Sequence, residues 1–72
     1  IYPNPANDMV FINDFEGEAI TYRIYNPSGQ IVLEGTTTNK SFPTNVLPTG
    51  FYTLIISDNK GVSHMKKLII NQ

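Results

Sequence analysis

The side chains able to do chemistry are few in this sequence, and their spacing assembles no reaction centre. His64 is the single histidine and no cysteine is present, so neither a thiolate metal site nor a site with two imidazole ligands can form. We interpret His64 as a surface or edge-strand residue. The carboxylates Asp14, Glu16 and Glu18 cluster closely and could hold a hard cation weakly. They lack the ligand number and fixed glycine of a dedicated calcium loop, which favours a solvated acidic loop.

Nucleophilic and acid–base catalysis also lack their partners. Glycoside hydrolysis needs two opposed carboxylates in a cleft, which so small a chain rarely encloses. The segment Asn39-Lys40-Ser41 matches the acceptor sequence for N-glycosylation, a match that often arises by chance. No base and orienting acid accompany the serines at a recognisable spacing; these are Ser28, Ser41, Ser57 and Ser63. The sequence therefore predicts a protein that is not an enzyme and uses no cofactor.

Length and charge exclude further classes of function. At 72 residues the chain forms one domain with a thin core, which disfavours an enclosed catalytic cleft. Five basic against six acidic residues give a net charge of −1 without a run of either sign, so nothing attracts nucleic acid or an anionic membrane. Apolar runs such as Leu68-Ile69-Ile70 are too short for membrane insertion. Because the sequence begins at Ile1, without an initiator methionine, we expect a fragment of a larger protein.

Turn residues divide the sequence into short segments. Proline, glycine, asparagine and aspartate recur every several residues, and the segments between them are rich in strand-forming Val, Ile, Tyr, Phe and Thr. No segment keeps a helical periodicity, so the predicted class is all-β, as a small sandwich or open barrel. The predicted strands are Met9–Ile12, Ala19–Tyr25, Gln30–Gly35, Lys40–Phe42, Phe51–Ser57 and Val62–Ile70.

Alternation within these strands predicts which side chains face the core. The positions expected to share an inward face are Ile20, Tyr22 and Ile24 in the second strand and Tyr52, Leu54 and Ile56 in the fifth. The other face of the fifth strand is also apolar, which predicts a central place in its sheet. The last strand alternates poorly, and a bulge between Met65 and Leu68 would turn both inward together with Ile70.

Two turns have the composition of hairpin connections. In Asn26-Pro27-Ser28-Gly29 the proline suits a φ near −65° and the glycine suits a positive φ. In Asp58-Asn59-Lys60-Gly61 the glycine suits the left-handed position of a bulged hairpin loop. The sequence therefore predicts consecutive antiparallel hairpins on either side of these turns.

The aromatic side chains allow two interpretations. On the surface they could stack against carbohydrate, whereas in an all-β domain of this size they more often fill the core. They are Tyr2, Tyr22, Tyr25, Tyr52, Phe11, Phe15, Phe42 and Phe51.

Four segments, taken in order, resemble one known family. They are the opening Ile1-Tyr2-Pro3-Asn4-Pro5-Ala6, the strand-turn-strand segment from Tyr22 through Gly29 to Val32, the segment Leu47-Pro48-Thr49-Gly50-Phe51-Tyr52, and the strand Lys66-Lys67-Leu68-Ile69-Ile70. This pattern covers essentially the whole chain and is similar to that of the C-terminal sorting domains of type IX secretion substrates in Bacteroidetes. The final Asn71-Gln72 departs from it, since many members finish on or near a basic residue.

The resemblance implies a fold and a function. The expected fold is a small Ig-like antiparallel β-sandwich of about seven strands, in which residues 1–72 form a single C-terminal sorting domain excised from a larger secreted precursor. The precursor would fold in the periplasm, and the type IX outer-membrane translocon and its shuttle proteins would recognise this domain. A surface sortase-like cysteine protease would then remove it, leaving the N-terminal cargo secreted or at the cell surface.

The same resemblance singles out candidate recognition positions. Pro3 and Pro5 fix an extended chain before the first strand. We expect Gly29 and Gly50 to supply permissive turn geometry and Tyr52 to fill the core. The full set of candidates is Pro3, Asn4, Pro5, Ala6, Gly29, Gly50, Tyr52, Lys66 and Lys67. If these residues mainly hold the fold, direct contact would fall to exposed positions such as Asn4, Lys66 and Lys67 and to an open strand edge, where proline should block export.

Two other functions remain open from the sequence. The first is an accessory binding sandwich of a secreted enzyme, most plausibly for carbohydrate, with Tyr2, Tyr25 or Phe51 as its platform. The second is a structural spacer or dimerisation module. Affinity for a polysaccharide would distinguish the first of these from a sorting signal.

Overall fold

The computed structural model describes residues 2, 6, 8–12 and 19–72. In that part of the chain six strands form and no helix does, which confirms the all-β class. The strand number is six, against the seven expected from the resemblance. The strands are β1 (Met9–Phe11), β2 (Ile20–Tyr25), β3 (Ile31–Thr37), β4 (Ser41–Pro43), β5 (Gly50–Asp58) and β6 (Ser63–Ile70).

The strands form two antiparallel sheets that pack as a small sandwich. One sheet pairs β1 with β4, and the other has four strands in the order β3-β2-β5-β6. The central place predicted for the fifth strand is confirmed, because β5 lies between β2 and β6. The short β1–β4 sheet covers one face of the larger sheet and leaves its other face open.

The core lies between the two sheets. The inward positions predicted for β2 and β5 are confirmed: Ile24, Leu54 and Ile56 are fully buried, and Tyr52 packs half-buried against them. The complete buried apolar cluster is Ala6, Val10, Ile12, Ile20, Tyr22, Ile24, Phe42, Leu47, Leu54, Ile56, Leu68 and Ile70. Within the cluster the Tyr22 and Phe42 rings stack across the two sheets, with ring centroids 4.2 Å apart.

The prediction of a bulge in the last strand is wrong. The β5–β6 ladder runs without interruption from Gly50 opposite Ile70 to Ser57 opposite Ser63. Strict alternation therefore turns Lys66 towards the core with Leu68, while Met65 points outward and is 73% exposed. The hairpin turn fixes this register, and the half-buried Lys66 can place its aliphatic stem on the core while its ammonium reaches water.

Both predicted hairpins are confirmed, and their turns are built alike. The Asn26 main-chain N–H donates to the Gln30 carbonyl, just as that of Asp58 donates to the Val62 carbonyl, both at 2.9 Å. In each turn the first side chain accepts two main-chain N–H groups through its Oδ1. Gly29 and Gly61 both have a φ of 86°, so each occupies the left-handed position of a bulged hairpin loop.

Two glycines have roles that the sequence did not predict. Gly50 was expected to supply turn geometry, but it begins β5 and pairs with Ile70 without a positive φ. Gly35 was expected to end a strand, but it lies inside β3, opposite Tyr22. A Cβ there would lie 2.6 Å from the Tyr22 Oη, so the glycine leaves space for that ring.

No helix that could cross a membrane occurs in the part of the chain that the structure describes.

Candidate recognition surface

The sequence-predicted positions concentrate at one end of the four-stranded sheet. The β2–β3 turn, the start of β5 and the end of β6 meet there, because Tyr25 pairs with Thr53 and Gly50 pairs with Ile70. This end carries Ala6, Gly29, Gly50 and Tyr52. Lys67 lies near it, opposite Thr53. Pro3, Asn4 and Pro5 lie outside the described residues.

Ala6 ties its segment to the last strand. It is buried and forms a parallel bridge with Ile70. Its N–H donates to the Ile69 carbonyl at 2.8 Å, and its own carbonyl accepts the Asn71 N–H at 2.8 Å. A small side chain fits this position because the residue packs directly against the core. Ala6 is therefore a buried residue that joins its segment to the end of β6.

Tyr52 closes the loop that precedes β5. Its ring packs against the core cluster, and its hydroxyl donates to the Pro48 carbonyl at 2.6 Å. The Gly50 α-carbon lies beside the same ring, where an added Cβ would meet Tyr52 at 3.6 Å, an ordinary contact. A hydroxyl that bonds to main chain a few residues upstream fixes the chain direction at the corner of a sandwich. The expectation that Tyr52 fills the core is thus met in part. Its ring packs against the core, whereas its hydroxyl bonds to the main chain of the loop before β5.

Gln72 is a structural residue that sequence reasoning missed. Its side-chain Nε2 donates to the carbonyls of Thr44 and Leu47 at 3.1 and 3.0 Å, and its main-chain N–H donates to Thr49 Oγ1 at 3.0 Å. These bonds join the segment after β6 to the loop between β4 and β5. No periodicity or spacing signals such contacts, because they link residues more than twenty positions apart.

The two lysines of β6 differ in their surroundings. Lys67 is exposed on the open face of the four-stranded sheet, whereas Lys66 is half-buried on the core side opposite Leu54. The expectation that both are exposed is correct for Lys67 alone. The reason is the alternation of adjacent side chains in a strand.

An open groove crosses the outer face of the sheet beside Lys67. Its volume is about 400 Å³, and its walls include Pro27 of the β2–β3 turn together with Phe51, Thr53 and Met65. Phe51 and Met65 are 66% and 73% exposed, and their side chains make the walls of the groove apolar. Next to it, the Arg23 and Glu34 side chains form an exposed ion pair at 3.6 Å.

The aromatic residues divide between core and surface. Tyr22 and Phe42 fill the core as expected. Tyr2 and Phe11 stack on each other with centroids 5.5 Å apart, and both are exposed. Because Tyr2 pairs with the β1 segment, it lies on a different layer from Phe51. Phe15 lies outside the described residues.

The candidate residues for chemistry that the structure describes form no cluster. His64 lies exposed on β6, an edge strand of the larger sheet, as expected. The acidic trio Asp14, Glu16 and Glu18 lies outside the described residues. Within residues 2, 6, 8–12 and 19–72, no three His, Asp or Glu side chains are close enough to share a metal ion.

Comparison with known proteins gives one match. A family model described as the secretion system C-terminal sorting domain matches residues 1–71. Neither the curated proteins nor the solved structures contain a match to this chain. The family match spans both sheets and the segments that join them.

Proposed function

Because this chain belongs to the family of secretion system C-terminal sorting domains, we propose that its folded body is the address that type IX export reads. Such a domain directs its cargo to the cell surface or the medium. The observation that carries the proposal is the extent of the match, residues 1–71, which includes every strand of the sandwich. A signal distributed over the whole fold is read as a surface, whereas a linear peptide signal would occupy one segment.

The domain works without chemistry of its own. A sorting signal needs a stable exterior and a connection to cargo, and catalysis takes place in the machinery that reads it. In this proposal the cargo precedes the domain in the same chain, and the outer-membrane translocon with its shuttle proteins binds the sandwich. A sortase-like cysteine protease at the surface then removes the domain, which acts as the substrate of that protease.

Transplantation of the domain tests the proposal. Residues 1–72 are fused behind a reporter that carries a periplasmic export signal, in a bacterium that has the type IX translocon. We expect the reporter at the cell surface or in the medium, and cell fractionation measures its distribution. Retention of the reporter in the periplasm behind a folded domain would refute the proposal.

A matched pair of variants tests whether the export machinery requires the folded domain. Leu54 is fully buried in the central strand, so Leu54→Asp places an unpaired charge in the core and should unfold the domain. Ser57→Asp alters a half-buried, outward-facing position of the same strand that lies outside the groove, and it should leave the fold intact. We expect the first fusion to remain in the periplasm and the second to be exported.

Removal by a protease has a separate readout. The exported reporter should lose the mass of the domain in a strain with the surface cysteine protease and keep it in a strain without that protease. Full-length reporter in both strains would contradict removal while leaving the sorting function in place. The carbohydrate-binding alternative predicts affinity for a polysaccharide, which calorimetric titration of the purified fusion measures.

A further inference from the structure

The two edges of the four-stranded sheet are not equivalent. At the β6 edge, the main chain of residue 6 bonds to the Ile69 carbonyl and the Asn71 N–H, so part of that edge is already paired. At the other edge lies β3, seven residues long and without proline, lysine or arginine. Natural proteins protect sheet edges with such residues or with covering segments. Within the part of the chain that the structure describes, protection of β3 is limited to a register shift near Val32, at its start, and to the charge of Glu34.

The direction of the β3 main-chain groups follows from the ladder. Hydrogen-bonded pairs alternate along antiparallel strands. The bond from the Asp58 N–H to the Val62 carbonyl shows that even-numbered residues of β5 bond towards β6. Odd-numbered residues of β5 therefore bond to Thr21 and Arg23 of β2, their register partners.

The remaining residues of β2 must bond to β3. Tyr22 and Ile20 then pair through hydrogen bonds with Gly35 and Thr37. The N–H and C=O groups of Glu34 and Thr36 consequently point away from the sheet. No described residue forms a hydrogen bond to these outward groups.

The side chains along this edge are suited to a partner strand. Ile31 and Val32 are neighbours at the start of β3 and are 48% and 38% exposed, so they offer adjacent apolar contacts at this edge. Glu34 and Thr36 follow them and are exposed as well. The edge thus offers an apolar contact at its start and an acidic and a hydroxyl contact further along.

The charge of Glu34 argues against a second copy of this chain as the occupant. Two β3 strands in full antiparallel overlap would be centred on Glu34, the middle residue of Ile31–Thr37. Each Glu34 would then lie directly opposite the other, and like charges in that position are destabilising. The Arg23 of the same chain, which forms an exposed ion pair with Glu34 at 3.6 Å, offsets this repulsion only weakly. A foreign strand with a basic or hydroxyl side chain at this position meets no such repulsion.

We propose that the open edge of β3 accepts an extended segment of the export machinery as a fifth strand of the sheet. The expected segment carries aliphatic or aromatic side chains opposite Ile31 and Val32 and a basic or hydroxyl side chain opposite Glu34. Main-chain bonds supply the affinity, so the mode tolerates variation in cargo sequence. This inference rests on the proposed sorting function and assigns it to one edge.

Proline substitution at an outward position tests the assignment in the export fusion. Thr36→Pro removes one outward N–H and no bond to β2, and proline is tolerated on edge strands in that orientation. We expect export to fall roughly tenfold, because a partner carbonyl is left without its donor. The thermal midpoint of the purified fusion checks that the domain remains folded.

The opposite edge provides matched controls. Ser63→Pro alters an exposed, outward main-chain position of β6 that lies outside the groove, and we expect export at the parental level. Thr36→Lys and Ser63→Lys keep the backbone intact and place a protective charge at either edge. Export should fall severalfold for Thr36→Lys and stay unchanged for Ser63→Lys. If Thr36→Pro unfolds the domain, comparison of the two lysine substitutions tests whether the β3 edge is needed for export.

The outcomes are distinct. Export of both Thr36 variants at the parental level, or equal losses for the Ser63 variants, overturns the β3 assignment and leaves the sorting function standing. Retention of the unsubstituted fusion in the periplasm refutes the sorting function, and the β3 assignment with it. A dimer of the purified fusion that Thr36→Pro dissociates would identify a second copy as the occupant and likewise overturn the proposal.

Discussion

The Tyr22 ring shows how a single glycine position is fixed by its neighbour. The ring lies between Gly35, its register partner on β3, and Phe42 of the facing sheet. Both sides of the ring are therefore occupied, and Tyr22 is only 8% exposed. The glycine provides room for the ring, and the ring in turn covers a strand position that has no side chain.

Replacing this glycine should be costly. In Gly35→Ala the Cβ would lie 2.6 Å from the Tyr22 Oη and 2.9 Å from Cζ, and Phe42 prevents the ring from moving away. We expect a loss of about 1–3 kcal/mol in the free energy of unfolding, measured by denaturant titration. Gly50→Ala is the control, since its Cβ would meet nothing closer than 3.6 Å. Equal stability of the two variants would contradict this account.

At the scale of elements, two turns that are built alike connect β2 to β3 and β5 to β6 in the larger sheet. In both, an Asn or Asp side chain accepts two main-chain N–H groups and a glycine takes the left-handed conformation. The second turn sets the uninterrupted β5–β6 ladder, and that ladder decides that Met65 faces solvent and Lys66 faces the core. Turn chemistry therefore outweighs the apolarity of an individual side chain.

The left-handed position gives a prediction in which contacts with other parts of the fold play no part. Nothing lies within 4 Å of a Cβ at Gly61, whose φ is 86°, so a substitution there tests the backbone alone. We expect Gly61→Ala to lower the free energy of unfolding by about 1–2 kcal/mol. Gly61→Asn should lose less, because asparagine tolerates this conformation. Denaturant titration of both variants checks the order, and an alanine variant as stable as the parent would disprove it.

At the scale of the whole molecule, contacts distant in sequence close the sandwich. Ala6 joins its segment to β6, and Gln72 joins the residues after β6 to the loop between β4 and β5. The bonds of Ala6 place it at the same end of the sheet as Gly50, which pairs with Ile70. A small domain has a free energy of unfolding of only roughly 4–10 kcal/mol, so a few such bonds are a substantial part of it.

The Gln72 side chain offers a direct test of this closure. Gln72→Ala removes the two bonds from Nε2 to the Thr44 and Leu47 carbonyls, and we expect a loss of about 1–2 kcal/mol in the free energy of unfolding. Gln72→Glu keeps the shape but has no donor when ionised, and it places a carboxylate against two carbonyl oxygens. It should therefore be less stable than the alanine variant at neutral pH. Thermal unfolding that ranks the two variants in the opposite order would contradict the proposed closure.

The sequence by itself determined the class, both hairpins, the inward faces of β2 and β5 and the family, because these follow from alternation, turn residues and motif order. Alternation and turn residues involve neighbouring positions, and the order of the motifs can be read directly along the chain. The tertiary structure alone decided that Gly35 lies beneath Tyr22, that Lys66 faces inward, and that Gln72 ties the segment after β6 to the loop between β4 and β5. It also decided that β3 is the open edge among the described residues. Those facts depend on which strands become neighbours and in what register, and contacts between residues far apart in the chain leave no periodic trace in the sequence.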